Sequence, residues 1–329
     1  MPECGLIVQK FGGTSVADAA RIRLCAQRAL DTTRLGHRVV VVVSAMGRTT
    51  DALLRTAMEI DPNPPARELD QLLAAGEQVS VALTSIAIDA LGGRAVGLDA
   101  RQAGISAEGP HGRARVGHID ADRILSVLNQ GAIAVVAGFQ GELTCGDRAT
   151  IGRGGSDTTA VALAAALGAD LCEIHTDAMG VMTADPAIVP HARRLDVLSW
   201  PAMSALSRRG AKVLSIDSAE MAQRERVPVR VRHSALAGEG TSIRGDQWPD
   251  GPVACAMVRG ERDTAVALVG RGLTMQTRER ALGVLGPCAN EEDDALVLHS
   301  VPHERAPALL RELHIAAGFE ASASLAGFA

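Results

Sequence analysis

The residues that decide the fold run from Thr150 to Asp170 and read TIGRGGSDTTAVALAAALGAD. Three glycines in the first half allow the backbone to turn tightly and to approach a ligand closely. The alanine-rich second half predicts a helix, with Ser156 or Asp157 as its N-cap. The start of such a helix favours an anion, and the Arg153 guanidinium suits a carboxylate or a phosphate. The stretch therefore predicts an anion site, and an ordinary loop-to-helix junction is the alternative.

Length and composition narrow the class of protein. A chain of 329 residues exceeds the size of one hydrophobic core, so two domains are expected. We expect no membrane span, because no apolar run of about eighteen residues is free of charge. The first ten residues lack a signal-peptide pattern, which favours the cytoplasm. The net charge of −5 and the absence of a basic block argue against a nucleic-acid partner. The six cysteines form no C-x-x-C pair, so neither a disulfide framework nor a metal site is predicted.

Lysine is scarce in this chain. Of the 33 basic residues, only Lys10 and Lys212 are lysine, and the rest are arginine. A compact ammonium group is suited to a phosphate, so we interpret these two positions as candidates for phosphate binding. Chance placement is the alternative interpretation.

Apolar strand patterns alternate with helical patterns along most of the chain. The run RVVVVVS at residues 38–44 is typical of a strand buried on both faces of a parallel sheet. Polar or glycine-rich turns follow such strands, and ligands bind at this edge of open α/β sheets. Neither the G-x-G-x-x-G motif nor the P-loop motif occurs, which disfavours those nucleotide folds. The predicted strands are residues 6–11, 38–44, 95–98, 132–137, 171–175 and 228–232.

The C-terminal part has a different pattern. Residues 238–251 are rich in glycine, proline and aspartate and are predicted to be a linker. Short strands and helices after this linker predict a small α+β module of βαββαβ type. We therefore expect one domain over residues 1–245 and a second over residues 252–329.

Taken together, the motifs resemble those of the amino-acid kinase family and, within it, the aspartate kinases. The resemblance covers roughly residues 5–240, and the motifs fall in the family's order. The matching stretches are KFGGTSV (10–16), VSAMGRTTD (43–51), GE (76–77), GFQG (138–141), GRGGSD (152–157), TD (176–177), TADP (183–186) and GAKVL (210–214).

The resemblance implies a fold and a reaction. The fold is an αβα sandwich with a largely parallel sheet, followed by one ACT-like domain. The reaction is ATP-dependent phosphorylation of the side-chain carboxylate of aspartate to 4-phospho-aspartate, with Mg²⁺ carried by ATP. Aspartate and ATP are then the small-molecule partners, and a homodimer or larger homo-oligomer is expected. Members of this family carry two ACT modules, so the single module predicts altered or absent feedback inhibition and a specialised pathway.

The resemblance also assigns roles to residues. Lys10 and the amides of Gly12 and Gly13 would hold the transferring phosphate, and Arg153 would clamp the substrate carboxylate. If the resemblance misleads, Lys10 is a strand-end surface lysine and Arg153 a solvated loop residue. The implied catalytic residues are Lys10, Asp157 and Lys212; the implied substrate-binding residues are Thr50, Glu77, Arg153, Gly154, Gly155 and Ser156; the implied nucleotide-binding residues are Lys10, Phe11, Gly12, Gly13, Thr176, Asp177, Met182, Lys212 and Val213.

Some positions depart from the family pattern. Met182 stands where the family usually has tyrosine, and Ala187 where it usually has arginine, and both changes concern the nucleotide site. The family's His-Pro after Lys-Val-Leu becomes Ser215-Ile216 here. Two rival functions stay open: a kinase of the same fold for another small acid, and a non-catalytic subunit that has lost the use of ATP.

Overall fold

The computed structural model describes residues 5–319. The helices are α1 (Ala19–Arg34), α2 (Thr49–Ile60), α3 (Ala66–Ala90), α4 (Asp122–Asn129), α5 (Gly155–Ala166), α6 (Trp200–Arg208), α7 (Ile216–Glu225), α8 (Met275–Leu285) and α9 (Ala306–Ala316). The strands are β1 (Leu6–Phe11), β2 (Arg38–Val43), β3 (Ala95–Leu98), β4 (Ile105–Glu108), β5 (Arg115–Ile119), β6 (Ile133–Ala137), β7 (Gln140–Glu142), β8 (Arg148–Thr150), β9 (Leu171–Thr176), β10 (Val197–Leu198), β11 (Val229–His233), β12 (Thr241–Ile243), β13 (Gly251–Arg259), β14 (Thr264–Arg271), β15 (Asn290–Glu292) and β16 (Ala295–Val301).

The first of two compact units contains the residues up to Met179 together with Arg224–Glu239. Its main sheet has the strand order β11-β9-β1-β2-β6-β3, and all neighbouring pairs are parallel. The valines of β2 are at most 1% exposed, as expected for a strand covered on both faces. The parallel sheet predicted from the β-branched runs is confirmed.

Helices cover both faces of this sheet. Successive side chains of a strand point to opposite faces, so Val39, Val41 and Val43 share one face. These three valines pack with buried residues of α1 and α3 in one core cluster. Helices α4 and α5 also contact the central strands, but their buried side chains are not part of that cluster, and we place them on the other face. The predicted αβα sandwich is confirmed.

The same unit contains a smaller sheet, with the order β5-β4-β7-β8. The β7–β8 hairpin leads the chain directly to the glycine-rich bend before α5. Strands β4 and β5 were not predicted from the sequence. Their sequences, ISAE and RVGHI, are short and show no clear alternation.

Helix α3 is long and apolar enough to cross a membrane by length and composition, and it is the one such helix within residues 5–319. Half of its most apolar stretch is buried inside the protein. It also carries two buried carboxyl groups, Asp70 and Glu77, which are bonded to other parts of the same unit. We therefore interpret α3 as a core helix.

The second compact unit contains Gly180–Gln223 and the residues from Gly240 onward. Its antiparallel sheet has the order β13-β14-β16-β15. Buried residues of α8 and α9 pack on this sheet in one hydrophobic cluster, which also includes Ala184 and Val189. The small α+β domain predicted for the C-terminal region is confirmed.

The order of elements in this domain differs from the prediction. The described residues form ββαββα, because β13 precedes the predicted first strand and no described strand follows α9. Pro252 near the start of β13 argues against a central strand, but β13 lies at the edge of the sheet and has a register shift beside Pro252. The predicted boundaries at residues 245 and 252 stay a prediction.

Candidate functional site

Polar turns follow four neighbouring strands of the first unit at their carboxyl ends. Strands β9, β1, β2 and β6 are adjacent and parallel, so their carboxyl ends lie along one edge of the sheet. In an open α/β sheet this edge is where ligands bind. The turns are Thr176-Asp177 after β9, Gly12-Gly13 after β1, residues 44–48 after β2 and Gly138-Phe139 after β6.

Lys10 and Asp157 form an ion pair at this edge. Lys10 is the penultimate residue of β1, and by the alternation of the strand it shares a face with Val8 rather than with Phe11. Asp157 lies in the first turn of α5. The Lys10 Nζ and Asp157 Oδ1 atoms are 2.5 Å apart, and the two side chains are only 11% and 13% exposed. A cation and an anion are thus held together with little water around them.

The start of α5 differs from the sequence prediction. The N-cap is Gly154, with a left-handed φ of 76°, so Ser156 and Asp157 lie inside the first turn and the prediction of either as N-cap is wrong. The physical reason is packing: a Cβ on Gly155 would lie 2.9 Å from Phe139 Cδ2. Glycine at this point lets the helix start close to the turn after β6, and it leaves Asp157 free to face Lys10.

The turn after β1 packs against the turn after β2. Gly12 N–H donates to the carbonyl oxygen of His175 at 3.3 Å, and Gly47 N–H donates to Gly13 O at 2.9 Å. A Cβ on Gly13 would lie 2.9 Å from Ala45 O. Glycine at residue 13 therefore permits the close approach of the two turns, while a Cβ on Gly12 would lie 3.3 Å from Lys10 Nζ.

Glu77 reaches the same edge from α3. Its side chain is 2% exposed, and its Oε1 accepts a hydrogen bond from Ala45 N at 3.0 Å. Gly76 allows this approach, because a Cβ there would lie 2.8 Å from Ala45 Cβ. Burial raises the pKa of Glu77 from 4.5 to about 7. The second oxygen, Oε2, is buried and has no hydrogen-bond partner in the structure, so it is a candidate acceptor for a ligand.

A buried carboxylate that the sequence did not reveal supports the glycine-rich bend. Asp70 of α3 is 1% exposed and accepts hydrogen bonds from the Thr150 hydroxyl and from Gly112 N, the latter at 3.0 Å. Its Oδ2 also lies 2.8 Å from His111 Nδ1. Thr150 immediately precedes the bend, so these bonds fix where the bend begins. The partners lie 41 to 80 residues away in sequence, and no local pattern predicts such a pairing.

A second buried polar group lies behind the turn after β1. The His175 ring stacks on Phe11, with centroids 4.5 Å apart and an interplanar angle of 17°. Burial lowers the pKa of His175, although Glu173 opposes this effect. Burial acts to raise the pKa of Glu173, but the nearby His175 ring, a hydrogen bond from Gln9 and the charge of Arg232 hold it at about 2. A buried pair of Glu173 and His175 therefore lies behind Phe11, and no sequence pattern indicated it.

The remaining predicted site residues have the following positions. Thr50 is half-buried in the first turn of α2, and Arg153 is exposed on the bend. The Thr176 hydroxyl donates to Asp177 Oδ1 at 3.0 Å. The first unit thus brings together Lys10, Gly12, Gly13, Glu77 and Asp157 through direct contacts or contacts to shared turns. The second unit holds three more predicted residues: Lys212, which is exposed, and Met182 and Val213, which are half-buried.

The fold puts an ion pair and several turns at the edge where open α/β sheets bind ligands. The sequence profile of the amino acid kinase family matches residues 5–233, and the chain belongs to this family. The aspartokinase of Mycolicibacterium smegmatis is 51% identical over 241 residues, which are 73% of this chain and 57% of that protein. The aspartokinase of Mycobacterium tuberculosis H37Rv is 47% identical over 269 residues, which are 80% of this chain and 64% of that protein. The chain thus spans roughly three-fifths of the length of these relatives.

Solved structures give the same likeness. The aspartate kinase from Synechocystis is 30% identical, with a TM-score of 0.67, over 95% of this chain and 69% of that one. Aspartokinase III from E. coli, solved with aspartate and ADP, has a TM-score of 0.83 over 94% of this chain and 99% of that one. Its identity is 22%, so this second likeness supports the fold alone.

Proposed function

We propose that this chain is an aspartate kinase, which transfers the γ-phosphoryl group of ATP to the side-chain carboxylate of aspartate. The observation that carries the proposal is the nearly buried Lys10–Asp157 pair at the carboxyl edge of the sheet. The family resemblance implies that the transferring phosphate binds at Lys10. Identities of 51% and 49% to two aspartokinases, over 73% and 78% of this chain, support this choice of substrate.

The chemistry follows from charge and position. Both reactants are anions, so most of the catalysis consists of holding them in line and neutralising the charge between them. In this proposal Lys10 and the Gly13 amide hold the transferring phosphoryl group, and Gly12, whose amide donates to the carbonyl oxygen of His175, lines the same turn. Asp157 keeps the ammonium group of Lys10 aimed at the sheet edge, and the low exposure of the pair keeps its field strong.

Aspartate would be bound by complementary charges. The Arg153 guanidinium would pair with its α-carboxylate, and the unpartnered Oε2 of Glu77 would accept from its ammonium group. Gly154, Gly155, Ser156 and Thr50 would complete the pocket. For the nucleotide, the proposal assigns contacts to Phe11, Thr176, Asp177, Met182, Lys212 and Val213, on the basis of the family resemblance.

Magnesium is expected to arrive with ATP. Within residues 5–319, no group of three or more His, Cys, Asp or Glu side chains could hold a metal ion. In kinases Mg²⁺ is bound mainly by phosphate oxygens and water. We therefore propose that the Mg²⁺–ATP complex is the substrate.

We also propose a compartment and an oligomeric state for the protein. The cysteines that the structure describes are free, which fits a reducing compartment such as the cytoplasm. A homodimer or larger homo-oligomer is proposed from the resemblance alone, and light scattering on the purified protein measures it.

Hydroxylamine trapping tests the activity. It converts an acyl phosphate to a coloured hydroxamate, so the protein is incubated with Mg²⁺–ATP and a panel of amino and carboxylic acids. We expect hydroxamate from aspartate. Hydroxamate from a different acid alone would support a same-fold kinase with another substrate. Folded protein without turnover on any acid would support a non-catalytic role and contradict the proposal.

Two variants test whether the activity depends on Lys10. Lys10→Met removes the proposed phosphate-binding cation and is expected to lower turnover by at least about a thousandfold, as for loss of a charge at a phosphoryl-transfer centre. Arg23→Ala removes an exposed cation on α1 and is expected to leave turnover unchanged. Equal activity of the two variants would contradict the role of Lys10.

A further inference from the structure

The loop that carries Lys212 rests on the C-terminal sheet within the second unit. Gly210, two residues before Lys212, has a left-handed φ of 91°. A Cβ on Gly210 would lie 2.4 Å from the carbonyl oxygen of Met257 in β13. The backbone of the loop therefore touches the edge strand directly, and a larger residue at 210 would have to displace it.

An arginine pair fixes the same loop to the turn between β15 and β16. Arg209 Nη2 donates to Asp294 Oδ1 at 3.0 Å and also to Glu292. Arg208 Nη2 donates to the other carboxylate oxygen of Asp294 at 3.1 Å. The Arg209 and Asp294 side chains are 18% and 16% exposed, so water screens this pair less than a surface pair. Burial acts to raise the pKa of Asp294, but the two arginines outweigh it and hold that pKa below its usual range.

Local hydrogen bonds close the loop on both sides of Lys212. Ala211 N–H donates to Leu206 O at 3.0 Å, and the Ser207 hydroxyl donates to Leu214 O at 3.1 Å. The backbone before and after Lys212 is thus tied to the end of α6, while the lysine itself is exposed at the tip. A shift of the C-terminal sheet would carry this tip with it.

We propose that Arg209 and Asp294 are positioning residues that hold the Lys212 loop in the place required for its contact with the nucleotide phosphates. The C-terminal sheet then contributes to ATP binding through this clamp, although it supplies no group that touches ATP. The inference rests on the proposed function for the role of Lys212. Its geometric part, that the clamp orders the loop, is independent of any activity.

Endoproteinase Lys-C tests the geometric part. The enzyme cleaves after lysine, and this chain has only two lysines, of which Lys10 is 8% exposed inside β1 and Lys212 is exposed. Cleavage at Lys212 measures opening of the loop, and cleavage at Lys10 measures unfolding of the whole first unit. Mass spectrometry separates the two cuts.

The test variant is Asp294→Asn, and the matched control is Glu291→Gln. Glu291 lies three residues away and pairs with Arg278 of α8. We expect Asp294→Asn to speed cleavage at Lys212 by about tenfold, the change expected for a lost charge-assisted bond, with no change at Lys10. The control should cleave as the wild type does. An unchanged rate at Lys212, or equal acceleration at both lysines, would overturn the clamp.

A double-mutant cycle and steady-state kinetics test the functional part. Asp294→Asn should raise the KM for ATP by about tenfold and leave the KM for aspartate and kcat nearly unchanged. Arg209→Leu should raise the KM for ATP in the same way, and the double variant Arg209→Leu/Asp294→Asn should add little to either single change. A rise in both KM values, or fully additive effects in the double variant, would contradict positioning. If the wild type lacks kinase activity while Asp294→Asn still accelerates cleavage at Lys212, the clamp stands and the proposed function falls.

Discussion

The Lys10 side chain pairs with one carboxylate and is little exposed, so we expect its substitution to lower the free energy of unfolding. Lys10→Met leaves Asp157 unpaired at 13% exposure, so we expect a loss of roughly 3 kcal/mol in the free energy of unfolding. Asp157→Asn added to Lys10→Met should restore most of that stability but no turnover. Urea unfolding and hydroxamate formation measure the two effects. Recovery of turnover in the double variant would show that Lys10 acts on folding alone.

Glu77 gives the site a pH dependence with a definite sign. Its pKa in the folded protein, about 7, lies above the ordinary value of 4.5 because the side chain is buried. The folded state therefore binds this proton more tightly, and the stability it contributes is lost as the pH rises from about 4.5 through about 7. Glu77→Gln removes the titration, so its stability relative to wild type should rise by about 3 kcal/mol across that window. Parallel stability curves from pH 4.5 to 8 would contradict this.

The same ionisation bears on the substrate. If Glu77 accepts from the ammonium group of aspartate, the KM for aspartate should fall as the pH rises through about 7, because the carboxylate form is needed. The KM for ATP should lack this dependence. A KM for aspartate that stays level from pH 6 to pH 8 would remove Glu77 from the binding site.

At the level of elements, the two glycines Gly152 and Gly155 near the start of α5 have different surroundings. A Cβ on Gly155 would meet Phe139 and Ile151 at 2.9 and 3.1 Å, whereas a Cβ on Gly152 would meet nothing within 4 Å. We expect Gly155→Ala to lower the midpoint of thermal unfolding, with a loss of about 2 kcal/mol, as overpacking does. Gly152→Ala should stay within about 0.5 kcal/mol of wild type. Equal effects of the two changes would show that the helix start is free to shift.

Elements were predictable where local pattern and burial agree. The β-branched run of β2 predicts a doubly covered strand because nothing else buries five consecutive valines so completely. The edge strand β13 was not predicted, and its residues were assigned to the linker and to the segment after it. Pro252 argues against a central strand, but it is tolerated at the edge position that β13 occupies. The prediction of the N-cap of α5 was wrong because a long-range contact, the packing on Phe139, decides where the helix begins.

For the molecule as a whole, sequence and structure differ most in the support of the site. The motifs predicted the residues of the sheet edge in the first unit, since each motif lies at the end of its own strand. The buried pairs Asp70–Thr150 and Glu173–Gln9 were missed because these hydrogen bonds form only when distant segments of the chain become neighbours. Such pairings are a property of the assembled sheet rather than of any local sequence.

The two units can be followed separately by their thiols. Cys25 and Cys172 are buried in the first unit and Cys255 in the second, and burial raises the pKa of all three, to about 12 for Cys25. Cys145 and Cys288 are exposed. We expect a thiol reagent at pH 8 to modify the two exposed cysteines within minutes and the three buried ones only after unfolding. Mass spectrometry locates the modified cysteines. Rapid modification of Cys172 or Cys255 in the folded protein would contradict the burial of that residue in its own unit.

The scarcity of lysine has a practical consequence for labelling experiments. Among its side chains only two carry a primary amine, and one of these is enclosed beside Asp157. An amine-reactive dye should therefore attach to the loop after α6 in preference to Lys10, without any engineered cysteine. Because labelling consumes the amine that is proposed to contact the nucleotide phosphates, bound Mg²⁺–ATP should slow the reaction of the dye with Lys212.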